Sequence, residues 1–382
     1  MAATVAVAGL SARFLAESAR QAGWQVIALD LFGDADTRRS SRRWHRIGDP
    51  GSCAIEPALL RHALQGAARE SGAIGWIAGS GFEATPELLE TPVPGLPLLG
   101  MAGAALRRVR EPSSFFPLLD RLRLRHPEVT LQPPRSSEGW LAKSAAGSGG
   151  WHIRPAGEVD GGSDSGQPMY WQRVQPGEPM SALFLADGAR ARIVALNRLL
   201  VRPLGSLPYV YAGALSPVAD EALSDALEQA LAALVPALGL RGLASLDFIE
   251  RAGQAWLLEI NARPCATMAL HDGAWPGGLL RAHVDALRGE LPDGPPAQPT
   301  GVRGCLTIFA EAECRVGLSL AAQLAQSAQC HDVPAPGMRF GRGEPVCTVS
   351  AVADSADAVL AELDARARQV LRRLSPCQEL LA

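Results

Sequence analysis

The chain has 382 residues, 47% of them hydrophobic and 20% charged, which excludes intrinsic disorder and predicts two or three folded domains. A net charge of −3 excludes a bulk nucleic-acid or anionic-membrane binder, and no apolar run approaches the roughly 18 residues needed to span a bilayer. Seven cysteines without a CxxC pair, behind an N-terminus lacking a basic leader, lead to the expectation of a cytoplasmic protein with free thiols.

TVAVAGL reads as a buried strand, ARFLAESARQAG as an amphipathic helix and WQVIALD as a second strand ending at Asp30. The intervening turn, Gly9 to Arg13, lacks GxGxxG, so no pyrophosphate cradle is expected and Asp30 reads as a structural acid. GAIGWIAGSGF is strand then loop, carrying Glu83 to the sheet edge where open α/β folds bind ligands. Glu83 is therefore either a substrate contact or an acid at the start of the following helix. Residues 101–130 read as helical and Arg-rich, a solvated basic face or in part a phosphate-facing one.

GWLAKSAAGSGGWHIRPA is a strand, a Gly-rich loop and a second strand, and VDGGSDSGQ (159–167) a hairpin end. The strand MYWQRV, the turn QPGEP and the hairpin MSALFLADGARARIVALN follow. A long helix is predicted over Asp220 to Leu238, then the hairpin SLDFIERAGQAWLLEINARP. The Pro-rich stretch 289–301 is the clearest domain boundary. Beyond it lies a small β-rich unit (CLTIFA, EPVCTVSAV) closed by the helix DAVLAELDARARQVLRRL.

Two constellations carry chemistry. Lys143 is the single lysine among 36 basic residues, as expected where a compact ammonium is needed and a guanidinium fork does not fit. It stands just before Gly147, Ser148, Gly149 and Gly150, whose backbone N–H groups can close over phosphates beside that ammonium. In the second hairpin, centring the turn on Gly253 sets Asp247 opposite Glu259. Residues 257, 259 and 261 are then expected on one face, and Trp256, Leu258 and Ile260 on the other. Facing carboxylates repel unless a cation lies between them, and Asp247, Glu259 and Asn261 supply the hard oxygens that Mg²⁺ or Mn²⁺ takes; the alternative is a solvated polar face.

WLAKSAAGSGG, YWQRVQPGEPMSALFL and LDFIERAGQAWLLEINARP, in that order, resemble the ATP-grasp superfamily. The resemblance implies an α/β and α+β multidomain fold: a Rossmann-like pre-ATP-grasp domain (1–100), a first lobe (101–168), a second lobe (169–290) and a small C-terminal α+β domain (300–382). It implies ATP phosphates on Lys143, a lid at Gly147–Gly150, an adenine-reading hinge at Gln172, Arg173 and Val174, and ribose on Glu178. Asp247, Glu259 and Asn261 match the metal ligands of the family's EIN pattern, and Arg263 the basic residue that stabilises the transferring phosphoryl group. Many members carry a further nucleotide-binding lysine in the first lobe, where this chain offers only Arg110 or Arg107. His152 follows the loop in place of a small residue, either near the acyl acceptor or packed in its strand.

The implied activity is an ATP- and Mg²⁺-dependent ligation of a small-molecule carboxylate, of amino-acid type such as glutamate, to an amine through an acyl-phosphate. The sequence is similar to members associated with one-carbon cofactor assembly in methylotrophs, of the methanofuran or pterin kind. A metabolite kinase and a non-catalytic nucleotide-binding regulator are the alternatives, and a homo-oligomer is left open. No Ser/His/Asp or Cys/His arrangement supports nucleophilic catalysis, and Cys265 reads as a small buried residue.

Overall fold

Residues 2–159, 168–297 and 299–376 are described by a computed structural model, so most of the 159–167 stretch and Cys377 lie outside the described residues. The N-terminal unit is built on β1 (Thr4–Ala8), α1 (Arg13–Gln21), β2 (Gln25–Asp30), β3 (Arg43–Arg46), α2 (Pro57–Ala67) and β4 (Ala73–Ala78). Its parallel sheet has the order β3-β2-β1-β4, and the wholly buried TVAVA run is its inner strand, as a sheet covered on both faces requires. Asp30 is fully buried, with its oxygens taken by the N–H groups of Ala12 and Gly33 and the Trp44 indole. That satisfied carboxylate ties the first turn to the second and fits the structural reading.

The predicted helical stretch resolves into two helices, α3 (Gly103–Arg110) and α4 (Pro112–Arg121), that break at Glu111–Pro112. The first-lobe sheet runs Val129–Thr130, β7 (Met169–Arg173), β5 (Trp140–Ser144) and β6 (Ile153–Pro155), all antiparallel. Because β7 pairs with β5, the expected boundary at 168/169 falls inside a sheet. The lobe instead ends at the hinge that follows β7.

The second lobe comprises β8 (Glu178–Asp187), β9 (Ala191–Leu204), β10 (Leu207–Ser216), α5 (Glu221–Leu238), β11 (Arg241–Arg251), β12 (Gln254–Asn261) and α6 (Gly278–Leu287). Asp220 caps α5 by accepting the Leu223 N–H at 2.9 Å, and Gly239 ends it in the left-handed conformation at φ 65°. Between those caps Leu223, Leu227, Leu231, Leu234 and Leu238 recur at helical spacing and bury one face against the sheet's core.

The Pro-rich stretch is a linker but not the end of a sheet. Beyond it β13 (Val302–Phe309) pairs with β10, and β14 (Pro345–Ala353) with β13, before the closing helix α7 (Ala356–Leu371). One antiparallel sheet of eight strands, in the order β12-β11-β8-β9-β10-β13-β14 and then Cys330–His331, spans both units. The C-terminal unit also grips the N-terminal one. Asp36 accepts the N–H groups of Asp332 and Val333 at 2.8 and 3.0 Å, and Arg13 meets Asp332 at 2.8 Å and Glu17 at 2.8 Å. None of the described cysteines forms a disulfide, and no described helix is long and apolar enough to cross a membrane.

Candidate functional site

A cleft of about 490 Å³ lies between the two lobes. Strand alternation supplies its upper wall: Leu141 and Lys143 on β5, with Tyr170 and Gln172 on β7, face the cleft, while Trp140, Ala142 and Trp171 pack into a small core behind. Lys143 is 7% exposed, and its Nζ donates to Gln172 Oε1 at 2.6 Å. Burial pulls its pKa down to about 8, against the pull of Glu259.

The Gly-rich loop follows Lys143 directly, and its glycines are sterically required. A Cβ on Gly147 would fall 2.0 Å from the His152 ring, and one on Gly150 would fall 1.9 Å from the Tyr209 carbonyl. The Tyr211 N–H donates to the Gly149 carbonyl at 2.9 Å, so the loop rests on β10, with Ser148, Gly149, Gly150 and His152 lining the cleft. Burial holds His152 at about 4, so it enters the site as a neutral ring.

The lower wall carries the carboxylates. Asp247 pairs with Glu259 across β11 and β12, and Ser245 with Asn261. The route to this register differs from the one expected. Ala252 and Gly253, both left-handed at φ 53° and 76°, form a two-residue turn between the paired Arg251 and Gln254. Such a turn alone would put Leu258 opposite Asp247. A β-bulge at Leu258 inserts one residue and moves Glu259 into place. The face assignment changes accordingly: Leu257 joins Ile260 in the core, and Leu258 joins Glu259 and Asn261 on the cleft.

Burial and the neighbouring Glu259 push Asp247 up to about 7. Burial would raise Glu259 as well, but the Arg110 guanidinium, together with His152, Lys143 and Arg263, outweighs it and holds the group below its ordinary value. Arg110 stands at the C-terminus of α3, with one nitrogen 2.8 Å from Glu259 Oε2, its Nε 3.1 Å from the Ala145 carbonyl, and a further bond to the Gly147 carbonyl. Of the two candidate first-lobe arginines, Arg110 thus stands against the carboxylate pair, whereas Arg107 pairs with Glu90 at the surface. Asn261 donates to Asp247 Oδ2 at 2.9 Å, which leaves its amide oxygen for another partner. Two half-buried carboxylates and that oxygen form a hard donor set whose mutual repulsion one divalent cation relieves, so the residues fit Mg²⁺.

Arg263 lines the cleft, and its Nε bonds Glu83 Oε1 at 2.6 Å; the Gly81 N–H holds Oε2 of the same carboxylate at 2.7 Å. Burial opposes ionisation of Glu83, yet Arg263 and then Arg110 pull its pKa below the usual value. Glu83 lines a small adjoining cavity together with Arg263, whose guanidinium it orients. Arg173 and Val174 line the cleft at the hinge, with Arg173 stacked over Trp140 at 4.9 Å. Glu178 stands between the cleft-lining Gly177 and Pro179 and bonds Arg198 at 2.6 Å, half-exposed. Burial pushes Cys265 up to about 11 beside Ser245, consistent with an inert thiol.

Ser245, Tyr211 and Thr267 also line the cleft and were not singled out from sequence. Ser245 was readable, since it lies two residues before Asp247 on the same strand face. Thr267 follows the last strand of the hairpin and carries no periodic signal.

Residues 114–267 match the ATP-grasp domain family. No curated protein matches the chain. Among solved structures, N5-carboxyaminoimidazole ribonucleotide synthetase from Thermus thermophilus superposes at a TM-score of 0.67 with 17% identity, covering 98% of this chain and 99% of that one. The carboxyaminoimidazole ribonucleotide synthase from Aspergillus clavatus, complexed with ATP, reaches 0.70 with 15% identity, covering 98% and 99%. Biotin carboxylase from Campylobacter jejuni, also in an ATP-type complex, reaches 0.70 with 14% identity, covering 97% and 91%. Residues 114–267 thus match an ATP-grasp domain, within a fold that resembles these synthetases and carboxylases along nearly all its length.

Proposed function

We propose that the protein is an ATP-dependent carboxylate–amine ligase that works through an acyl-phosphate and releases ADP and phosphate. The observation that supports this best is the convergence of three cations, Lys143, Arg110 and Arg263, on the carboxylate–amide set Asp247, Glu259 and Asn261. Leu141 and Tyr170 above, with Met180, Phe248 and Leu258 below, form an apolar slot suited to a nucleobase.

From that slot the phosphates would run toward Lys143 and the Gly147–Gly150 amides. Asp247, Glu259 and Asn261 would hold Mg²⁺, which would supply neutralisation of the charge that develops on the transferring phosphoryl group. Arg263, aimed by Glu83, stands where it can steady the γ-phosphoryl group as a substrate carboxylate attacks phosphorus. The amine then displaces phosphate from the acyl-phosphate and forms the amide. This is catalysis by position and electrostatics, which requires no nucleophilic side chain.

The acceptor is proposed to be a small amine and the acid an amino-acid-type carboxylate such as glutamate. The one-carbon cofactor setting is proposed on the sequence resemblance alone. Product analysis with Mg·ATP against pooled carboxylates, with and without pooled amines, tests the assignment, with Lys143→Ala as control. ADP and phosphate formed only when both pools are present are the expected result. ADP formed without an amine requirement would replace ligation by kinase chemistry.

A further inference from the structure

We propose that Gln172 sets the base preference of the nucleotide site: it presents a fixed N–H donor to the purine and so admits 6-oxo purine nucleotides beside ATP. This rests on the cleft between the lobes being the nucleotide site. Gln172 is 1% exposed and lines the cleft where β7 passes into the hinge. Its Oε1 lies 2.6 Å from the Lys143 ammonium, a group with donors only, so chemistry fixes which end of the amide points there. The other end, Nε2, is buried and has no hydrogen-bond partner among the described residues. A buried donor without an acceptor is costly, and a ligand acceptor relieves that cost.

The Hoogsteen edge of every purine offers N7 as an acceptor. At position 6, adenine presents an amino donor, whereas hypoxanthine and guanine present an oxygen. A donor at Gln172 therefore opposes the 6-amino group and matches the 6-oxo group. A carboxylate in its place would accept from both Lys143 and a 6-amino group, and would repel an oxygen.

Calorimetric binding of ATP and ITP to the full chain in Mg²⁺, for the protein and for Gln172→Glu, tests the assignment without requiring turnover. The native protein is expected to bind ITP within about tenfold of ATP. Gln172→Glu is expected to shift the ratio toward ATP by about tenfold, the worth of one exchanged hydrogen bond. Rejection of ITP by the native protein beyond tenfold, or a folded variant whose ratio moves by less than about threefold, overturns the role of Gln172. The native-protein arm stands if the variant does not fold. Absence of binding by either nucleotide to the native protein overturns the ligase reading as well, whereas ATP binding with an unmoved ratio overturns this inference alone.

Discussion

At the scale of single residues, the site turns on what kind of cation stands where. Lys143 is buried, and its ammonium makes a point contact with Gln172 Oε1 that a guanidinium fork does not reproduce. Lys143→Arg should therefore lower kcat/KM by about a hundredfold or more although charge is kept, on the scale of a lost charge-stabilising group. Native-like turnover in that variant would show that charge alone suffices. Glu259→Gln should weaken the Mg²⁺ requirement site, seen as a right-shifted magnesium titration, because it removes one of the two hard anionic donors. Arg110 makes a different demand, since it holds Glu259 and two loop carbonyls in three directions at once. Arg110→Lys should keep the Glu259 pairing but loosen the Gly-rich loop, raising KM for ATP more than it lowers kcat. Equal effects on both would separate Arg110 from nucleotide binding.

At the scale of elements, period-two alternation made much of the site legible. WLAKS and MYWQRV place Lys143 and Gln172 on one face, and Asp247 and Glu259 meet as the hairpin pattern implies. What alternation could not show was the bulge at Leu258, because an inserted residue leaves no signature in composition yet exchanges the faces of Leu257 and Leu258. The pairing of Glu178 with Arg198 was hidden for a related reason: strand position is local, but which side chains meet across strands depends on packing. His283 on α6 was likewise invisible, being one apolar-face histidine among helical residues. It is 1% exposed, accepts the Leu243 N–H at 2.8 Å through Nδ1 and bonds the Leu99 carbonyl through Nε2 at 3.0 Å. Burial pulls it down to about 4, so the unfolded chain takes up the proton first, near pH 6.5, and stability is lost as pH falls from there toward 4. By pH 5 the loss is about 2 kcal/mol. Thermal melts between pH 7 and 5 should show it, and His283→Gln should flatten the acid limb; parallel curves for the two proteins would refute the assignment.

At the scale of the whole molecule, contacts distant in sequence decide how the units are joined. Asp36 satisfies two backbone N–H groups of the C-terminal unit, so Asp36→Ala should destabilise the protein by about 2 kcal/mol in urea unfolding. A change below 0.5 kcal/mol would mean that water replaces the carboxylate at no cost. The eight-stranded sheet has a consequence for how the chain can be divided. Across the Pro-rich linker, Gly213 lies so close to β13 that any Cβ would fall 2.0 Å from the Cys305 carbonyl, and Ala214 and Leu215 beside it are buried. Cutting at the linker would convert β10 from an interior strand into a long apolar edge, a template for strand addition between molecules. A fragment ending there should therefore self-associate, and this C-terminal unit is not an exchangeable module that recombination could swap without supplying a new partner strand.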